Sequence, residues 1–297
     1  MDARESTFDP AARAAGLPCW SGKVEPKPVE GGITNVNFLV DDGPRRLFVR
    51  IGDDIPVHGV MRFNELAAAR AAAAAGLTPE VVYSEPGVIV TRFIEGHTLA
   101  PEDVRDPANL ERIVALMTRC HHEVPQHLRG PALIFWVFHV IRDYAATLRD
   151  GDSRCVDMLP DLLDRARRLE AAVGPIEVVF GHNDLLAANF IDDGARLWLV
   201  DWEYAGFNSP LFDLANVASN SEFSPEQEAD LIAAYTGTAP DGAYLRRFQA
   251  MTCASLLRET MWSMVSEIHS TLDFDYVEYT RENLARFERA YSAFEAG

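Results

Sequence analysis

Between residues 33 and 93 the apolar positions alternate with polar ones, or come in short runs broken by turn residues. Runs at 33–40 and 47–51 flank Asp42-Gly43-Pro44, and runs at 80–84 and 88–93 flank Glu85-Pro86-Gly87. Each pair reads as two strands joined by a tight turn. Between the pairs, residues 65–75 are rich in alanine and predict one helix. Beyond Gly96 the spacing of apolar residues changes to three and four, in 108–122, 133–149, 156–172, 225–236 and 243–292, which predicts helices. The exception is 190–200, where Phe190-Ile191 and a run at 197–200 enclose Asp192-Asp193-Gly194 and predict a hairpin. The pattern predicts an α+β chain of two lobes. Residues 1–95 form a small antiparallel sheet with one helix, and residues 96–297 form a larger, mainly helical lobe. A length of 297 residues accommodates both.

Charge and cysteine usage narrow the classes of partner. Forty-five acidic against 27 basic residues give a net charge of −18, which argues against nucleic acid or an anionic membrane as a partner of the bulk surface. A small cationic substrate is compatible with it. There is no run of eighteen apolar residues and no basic-then-apolar start, so no membrane insertion and a cytoplasmic location are expected. Cys19, Cys120, Cys155 and Cys253 form no C-x-x-C pair and read as reduced thiols. The oligomeric state, monomer or dimer, is left open.

The segment HNDLLAANFIDDGARLWLVDWE, residues 182–203, places acids and amides among apolar residues. If the hairpin turns at Asp193-Gly194, Asp201 returns to the end where Asn189 sits, with Asp184 just upstream. One amide and one carboxylate oxygen suit Mg²⁺, which takes few protein oxygens plus phosphate and water. Asp184 is then free to orient or deprotonate a hydroxyl, the layout of a phosphoryl-transfer site. Taken singly, Asp184 and Asp201 also read as turn caps and His182 as a core histidine. A metal-dependent phosphatase built on His182-x-Asp184 fits less well, because no further cluster supplies a second metal. His121-His122 closes a helical run and reads as a surface or capping pair.

Upstream lie candidates for holding a nucleotide. The glycines of Gly31-Gly32-Ile33-Thr34-Asn35 let backbone N–H groups approach phosphate, notably at Gly32, with Thr34 and Asn35 as added donors. In 46–51, Arg46, Phe48 and Arg50 share one face and Leu47, Val49 and Ile51 the other. The guanidinium fork of Arg50 suits phosphate oxygens, and Glu65 on the following helix is its candidate partner.

H-x-D-x-x-x-x-N at His182, Asp184 and Asn189, followed by D-x-E at Asp201 and Glu203, resembles the aminoglycoside phosphotransferase and choline kinase superfamily, whose fold is like that of protein kinases. The resemblance implies ATP and Mg²⁺ as cofactors, Asp184 as catalytic base, and Asn189 and Asp201 as metal ligands. It implies that Glu203 supports the metal or the substrate pocket, that His182 buttresses the loop, and that Asp213 in Phe212-Asp213-Leu214-Ala215 braces it from a helix start. It sets Arg50 at the phosphate-binding position, and residues 91–94 at the hinge beside adenine. The segment from Met261, MWSMVSEIHSTLDFDYVEYTRENLARFERAY, resembles the closing helices of choline and ethanolamine kinases. By that resemblance Trp262, Tyr276 and Tyr279 line a pocket for a cationic head group, which aromatic faces attract. Two positions depart from it. Glu259 stands where choline kinases have a second Trp, and Asn220 replaces their acid after the F-D-x-x-N run. Glu259 offers a charge partner for an ammonium group.

The expectation is therefore an ATP-dependent kinase for the hydroxyl of a small amino alcohol, choline or an ethanolamine-like compound. The alternatives are a kinase for an aminoglycoside, homoserine or a sugar, and a catalytically inactive nucleotide-binding fold.

Overall fold

The computed structural model describes residues 9–29 and 35–297, in which a short helix α1 (Pro10–Ala15) and strand β1 (Lys27–Val29) precede the expected sheet. Strands β2 (Val36–Asp42) and β3 (Arg45–Ile51) form one antiparallel pair, helix α2 (Arg62–Ala74) follows, and β4 (Val81–Glu85) with β5 (Val88–Arg92) forms the second pair. The order across the sheet is β1-β2-β3-β5-β4. Both turns close through a glycine in the left-handed region, Gly43 at φ 62° and Gly87 at φ 73°. Along β3 the burial alternates as expected. Leu47, Val49 and Ile51 enter a small core with Leu17, Phe38 and Val90, which leaves Phe48 and Arg50 on the opposite face.

The buried alanines of α2 belong to the other core. Ala68, Ala71 and Ala72 pack with the larger lobe, where small side chains permit close approach of α2 to the helices below. That lobe begins with strand β6 (His97–Thr98) and helices α3 (Pro101–Arg105), α4 (Pro107–His122), α5 (Val124–His127), α6 (Val137–Asp150) and α7 (Leu159–Val173). Strand β7 (Val179–Gly181) leads to the hairpin of β8 (Phe190–Asp192) and β9 (Leu197–Leu199), and β10 (Gly206–Asn208) returns to pair with β7. Four helices close the chain: α8 (Pro210–Asn220), α9 (Pro225–Thr236), α10 (Gly242–His269) and α11 (Tyr276–Ala296). The helical run expected over 243–292 is thus two helices, divided at 270–275, with Asp275 capping the second through the Glu278 N–H. Helix α8 lies outside the expected runs because nine of its eleven residues are buried, so no polar face marks its period. No helix among the described residues is long and apolar enough to cross a membrane.

The loop between β7 and β8 is held from α8. Asp213, in the first turn of that helix, accepts the N–H groups of His182 at 2.9 Å and Asn183 at 2.8 Å. Asn216 accepts the Leu185 N–H at 2.5 Å, and Asn220 donates to the Leu185 carbonyl at 3.4 Å. Asn183 sits at φ 66°, a strained conformation that Asn tolerates, and its amide donates to the carbonyls of Tyr204 and Gly206. His121 is not on the surface, as its sequence context suggested. It is buried, with Nε2 2.9 Å from Asp213 and Nδ1 2.7 Å from the Tyr235 hydroxyl, so it completes the brace.

Burial alone would raise the Asp213 carboxyl, but the hydrogen bonds and charge around it, His121 foremost, bring it below its ordinary 3.8. The unfolded chain then binds this proton more readily, so the stabilisation is present above pH 3.8 and lost as pH falls through the folded value. Asp213→Asn is expected to cost about 2 kcal/mol at pH 7 in urea unfolding and to flatten the loss of stability below pH 4. An unchanged acid limb would contradict this.

Candidate active site

The hairpin brings Asn189 and Asp201 together. The Val200 N–H donates to the Asn189 carbonyl at 3.0 Å, and the Asn189 amide N–H₂ donates to the Asp184 carbonyl at 2.8 Å. The Asn189 side-chain oxygen is thereby turned away from that bond. Asp201 adopts φ 69°, a conformation uncommon outside glycine and recurrent at functional sites. His182 is fully buried between these parts, with Nε2 2.9 Å from the Val200 carbonyl and its ring against Trp202. Burial lowers its pKa below the usual value, so the ring is neutral and links loop to hairpin rather than carrying a proton.

Five expected residues, Asn35, Arg50, Glu65, Asp201 and Glu203, meet in one cluster with a second arginine, Arg62. Arg50 lies 3.0 Å from Glu65, 2.7 Å from Asp201 and 3.7 Å from Glu203. Arg62, in the first turn of α2, lies 2.7 Å from Glu65 and 2.9 Å from Glu203. Asn35 donates to Glu203 at 3.3 Å. Burial works against the charge of Arg50, but Asp201, Glu65 and Glu203 outweigh it and raise its pKa, so it stays protonated. Arg62 is missed by the sequence reading, and its one signal is the three-residue spacing to Glu65 on a helix. Gly32 and Thr34 lie outside the described residues.

Among the described residues, two guanidiniums and three carboxylates meet in this cluster. Among the described residues no group of three His, Cys, Asp or Glu side chains could hold a metal alone. An amide oxygen at Asn189 and a carboxylate at Asp201 are of the donor type that a hard cation such as Mg²⁺ takes beside phosphate and water. Next to the cluster is a cavity of about 270 Å³ lined by Phe48, Ile89, Thr91, Phe93, Ile191 and Arg50, among others. Its apolar walls and charged end suit a nucleotide base and its phosphates. It includes the hinge expected at 91–94.

Asp184 stands at the mouth of the loop with its side chain 15% exposed. Burial, chiefly, pushes its pKa up to about 8, with the Arg258 charge pulling it down and Glu259, Asp201 and Glu203 adding to the rise. Arg258 is buried on α10, 4.0 Å from Asp184 and 2.8 Å from Glu259. Its guanidinium lies over the faces of Tyr204 and Phe135, and its Nε and Nη2 have no hydrogen-bond partner among the described residues. Arg258 is one charged residue within the helical run expected over 243–292 and carries no further sequence signal, so it is also missed.

The expected aromatic residues converge beside it. The Trp262 ring lies 6.1 Å from that of Tyr276 and 6.4 Å from that of Tyr279, and the indole N–H donates to the Tyr204 hydroxyl at 3.0 Å. Phe274, just before α11, packs on both tyrosines. Glu259 is held by Arg258 and accepts the Tyr279 hydroxyl at 2.8 Å, so it belongs to this wall already paired. Trp262 and Tyr276 line a cavity of about 340 Å³ that Asn35, from the other lobe, also borders.

A family model described as choline/ethanolamine kinase matches residues 27–232. Ethanolamine kinase 2 of Mus musculus is 27% identical over 293 residues, which covers 88% of this chain and 75% of that protein. The crystal structure of a choline/ethanolamine kinase family protein from Mesorhizobium loti superposes with a TM-score of 0.74 at 29% identity, covering 97% of this chain and 98% of that one. The aminoglycoside phosphotransferase APH(4)-Ia shares the fold, with a TM-score of 0.68 at 19% identity over 92% of this chain and 96% of that one. The matched stretch runs through the sheet, the arginine cluster, the braced loop and the hairpin, and on that ground this chain belongs to the choline/ethanolamine kinase family of small-molecule kinases.

Proposed function

We propose that this kinase moves the γ-phosphoryl group of ATP, with Mg²⁺, onto the hydroxyl of a small amino alcohol, choline or an ethanolamine-like compound. The observation that carries this reading is the position of Asp184. It leaves the loop that carries Asn189 and lies at Arg258, whose neighbours Glu259 and Tyr204 lead directly to Trp262 and Tyr279. Asn189 and Asp201 would hold Mg²⁺, which when bound neutralises charge between the phosphates. Arg50, steadied by Glu65, binds phosphate. Asp184 orients the acceptor hydroxyl and takes its proton, a task for which a carboxylate with a raised pKa is suited. Trp262, Tyr276 and Tyr279 receive the cationic head. Arg258 positions Asp184 and Glu259 between nucleotide and acceptor. Glu203 anchors Arg62 and Asn35 and supports the pocket through them. A cytoplasmic, non-nucleic-acid setting is part of this reading.

The purified enzyme with Mg-ATP is expected to release ADP saturably with choline or ethanolamine. Stimulation by an aminoglycoside, homoserine or a sugar alone would overturn the choice of acceptor. Asp184→Ala is expected to lower turnover by about a hundredfold or more with ATP binding retained, and near-normal turnover would remove Asp184 from its role. For Arg258, Lys is expected to retain about ten times the turnover of Met, since it keeps the charge beside Asp184 but not the fork. Equal loss in both variants, measured on folded protein, would reduce Arg258 to packing.

A further inference from the structure

The loop that leaves β3 doubles back through a bridge between Ile55 and Val60 and sends a single 3-10 turn, Pro56–His58, into the larger lobe. Gly59, at φ 70°, lets the turn close, and Val60 is fully buried in the larger core. His58 sits at the tip, 8% exposed. Its Nε2 lies 3.1 Å from the Ser266 hydroxyl and its Nδ1 3.4 Å from that of Tyr144. The imidazole centroid is 5.0 Å from the Trp262 ring, at an interplanar angle of 30°. Burial first, then the charges of Arg258 and His269, hold its pKa down to about 3, so the ring is neutral at any working pH. His58 lines the same cavity of about 340 Å³ as Trp262, Ser266 and Tyr276.

We propose that His58, carried across from the nucleotide lobe, is a wall of the acceptor pocket and determines which ammonium group the enzyme accepts. This rests on the amino-alcohol reading above. Both imidazole nitrogens are engaged, so the pocket meets the ring and not a free hydrogen-bond acceptor. The carboxylates nearby are also engaged, Glu259 with Arg258 and Tyr279, and Glu203 with Arg62. A methylated ammonium has no N–H to satisfy and gains contact with the Trp262, Tyr276 and His58 rings. A primary ammonium gives up hydrogen bonds to water at these ring faces, where the Ser266 and Ser270 hydroxyls that also line the cavity are already bonded to His58 and Tyr276. The His58 wall therefore favours choline over ethanolamine.

The test compares His58→Gln, which keeps hydrogen-bonding groups but no ring, with His58→Phe, which keeps a ring but no nitrogens. Steady-state kcat and KM are measured for choline, ethanolamine and ATP, with thermal melts to confirm folding. His58→Gln is expected to lower the choline-to-ethanolamine ratio of kcat/KM by about tenfold, through the KM for choline, with the KM for ATP unchanged. His58→Phe is expected to keep the choline KM. Parallel losses with both acceptors and a shifted KM for ATP would mark His58 as structural only and overturn the proposal, as would an unchanged ratio. If the wild-type enzyme uses neither acceptor, the amino-alcohol reading fails, which is seen before any variant is made.

Discussion

Two guanidiniums, 15% and 11% exposed, are shared among three carboxylates of the described residues and hold this cleft together. Arg50 comes from β3, Arg62 and Glu65 from α2, and Asp201 and Glu203 from the segment after β9. Removing such charges from water costs several kcal/mol each, and the cost is offset only while every member keeps its partner. The cluster therefore fixes where the sheet, the helix and the hairpin stand relative to one another. It also holds Asp201 in a left-handed conformation that the backbone would not favour on its own.

The loop between β7 and β8 depends on a second set of buried polar contacts, independent of the first. Asp213, Asn216 and Asn220 grip it from α8, and His182 ties it to the residue before Asp201. A third set, on α10, runs from Arg258 through Glu259 to Tyr279 and carries the order outward to the aromatic pocket. Asp184 stands where the three meet. Each set draws on a different element, so the position of one carboxylate is determined by residues far apart in the chain.

Much of this is legible in the sequence because it is local. The alternation along β3 and the Asp193-Gly194 hairpin each depend on neighbours in the chain, and the structure keeps them; the spacing of His182, Asp184 and Asn189 is local in the same way. What is not legible depends on partners from distant elements. Arg62 lies before the helix expected at 65–75 and Arg258 within the run expected at 243–292, and neither is marked until Glu203 and Asp184 come beside them. His121 looks superficial because its partner Asp213 is 92 residues away. His58 lies in a loop with no periodicity, and only the fold carries it to Trp262.

In the proposed function the arginine cluster presents Asp201 as a metal ligand beside Asn189. Calorimetric titration of ATP with and without Mg²⁺, on the wild type and on Asp201→Asn, tests it most directly. Mg²⁺ is expected to tighten ATP binding to the wild type by about tenfold or more, and the variant to lose this dependence. A variant that kept the full Mg²⁺ dependence would contradict it.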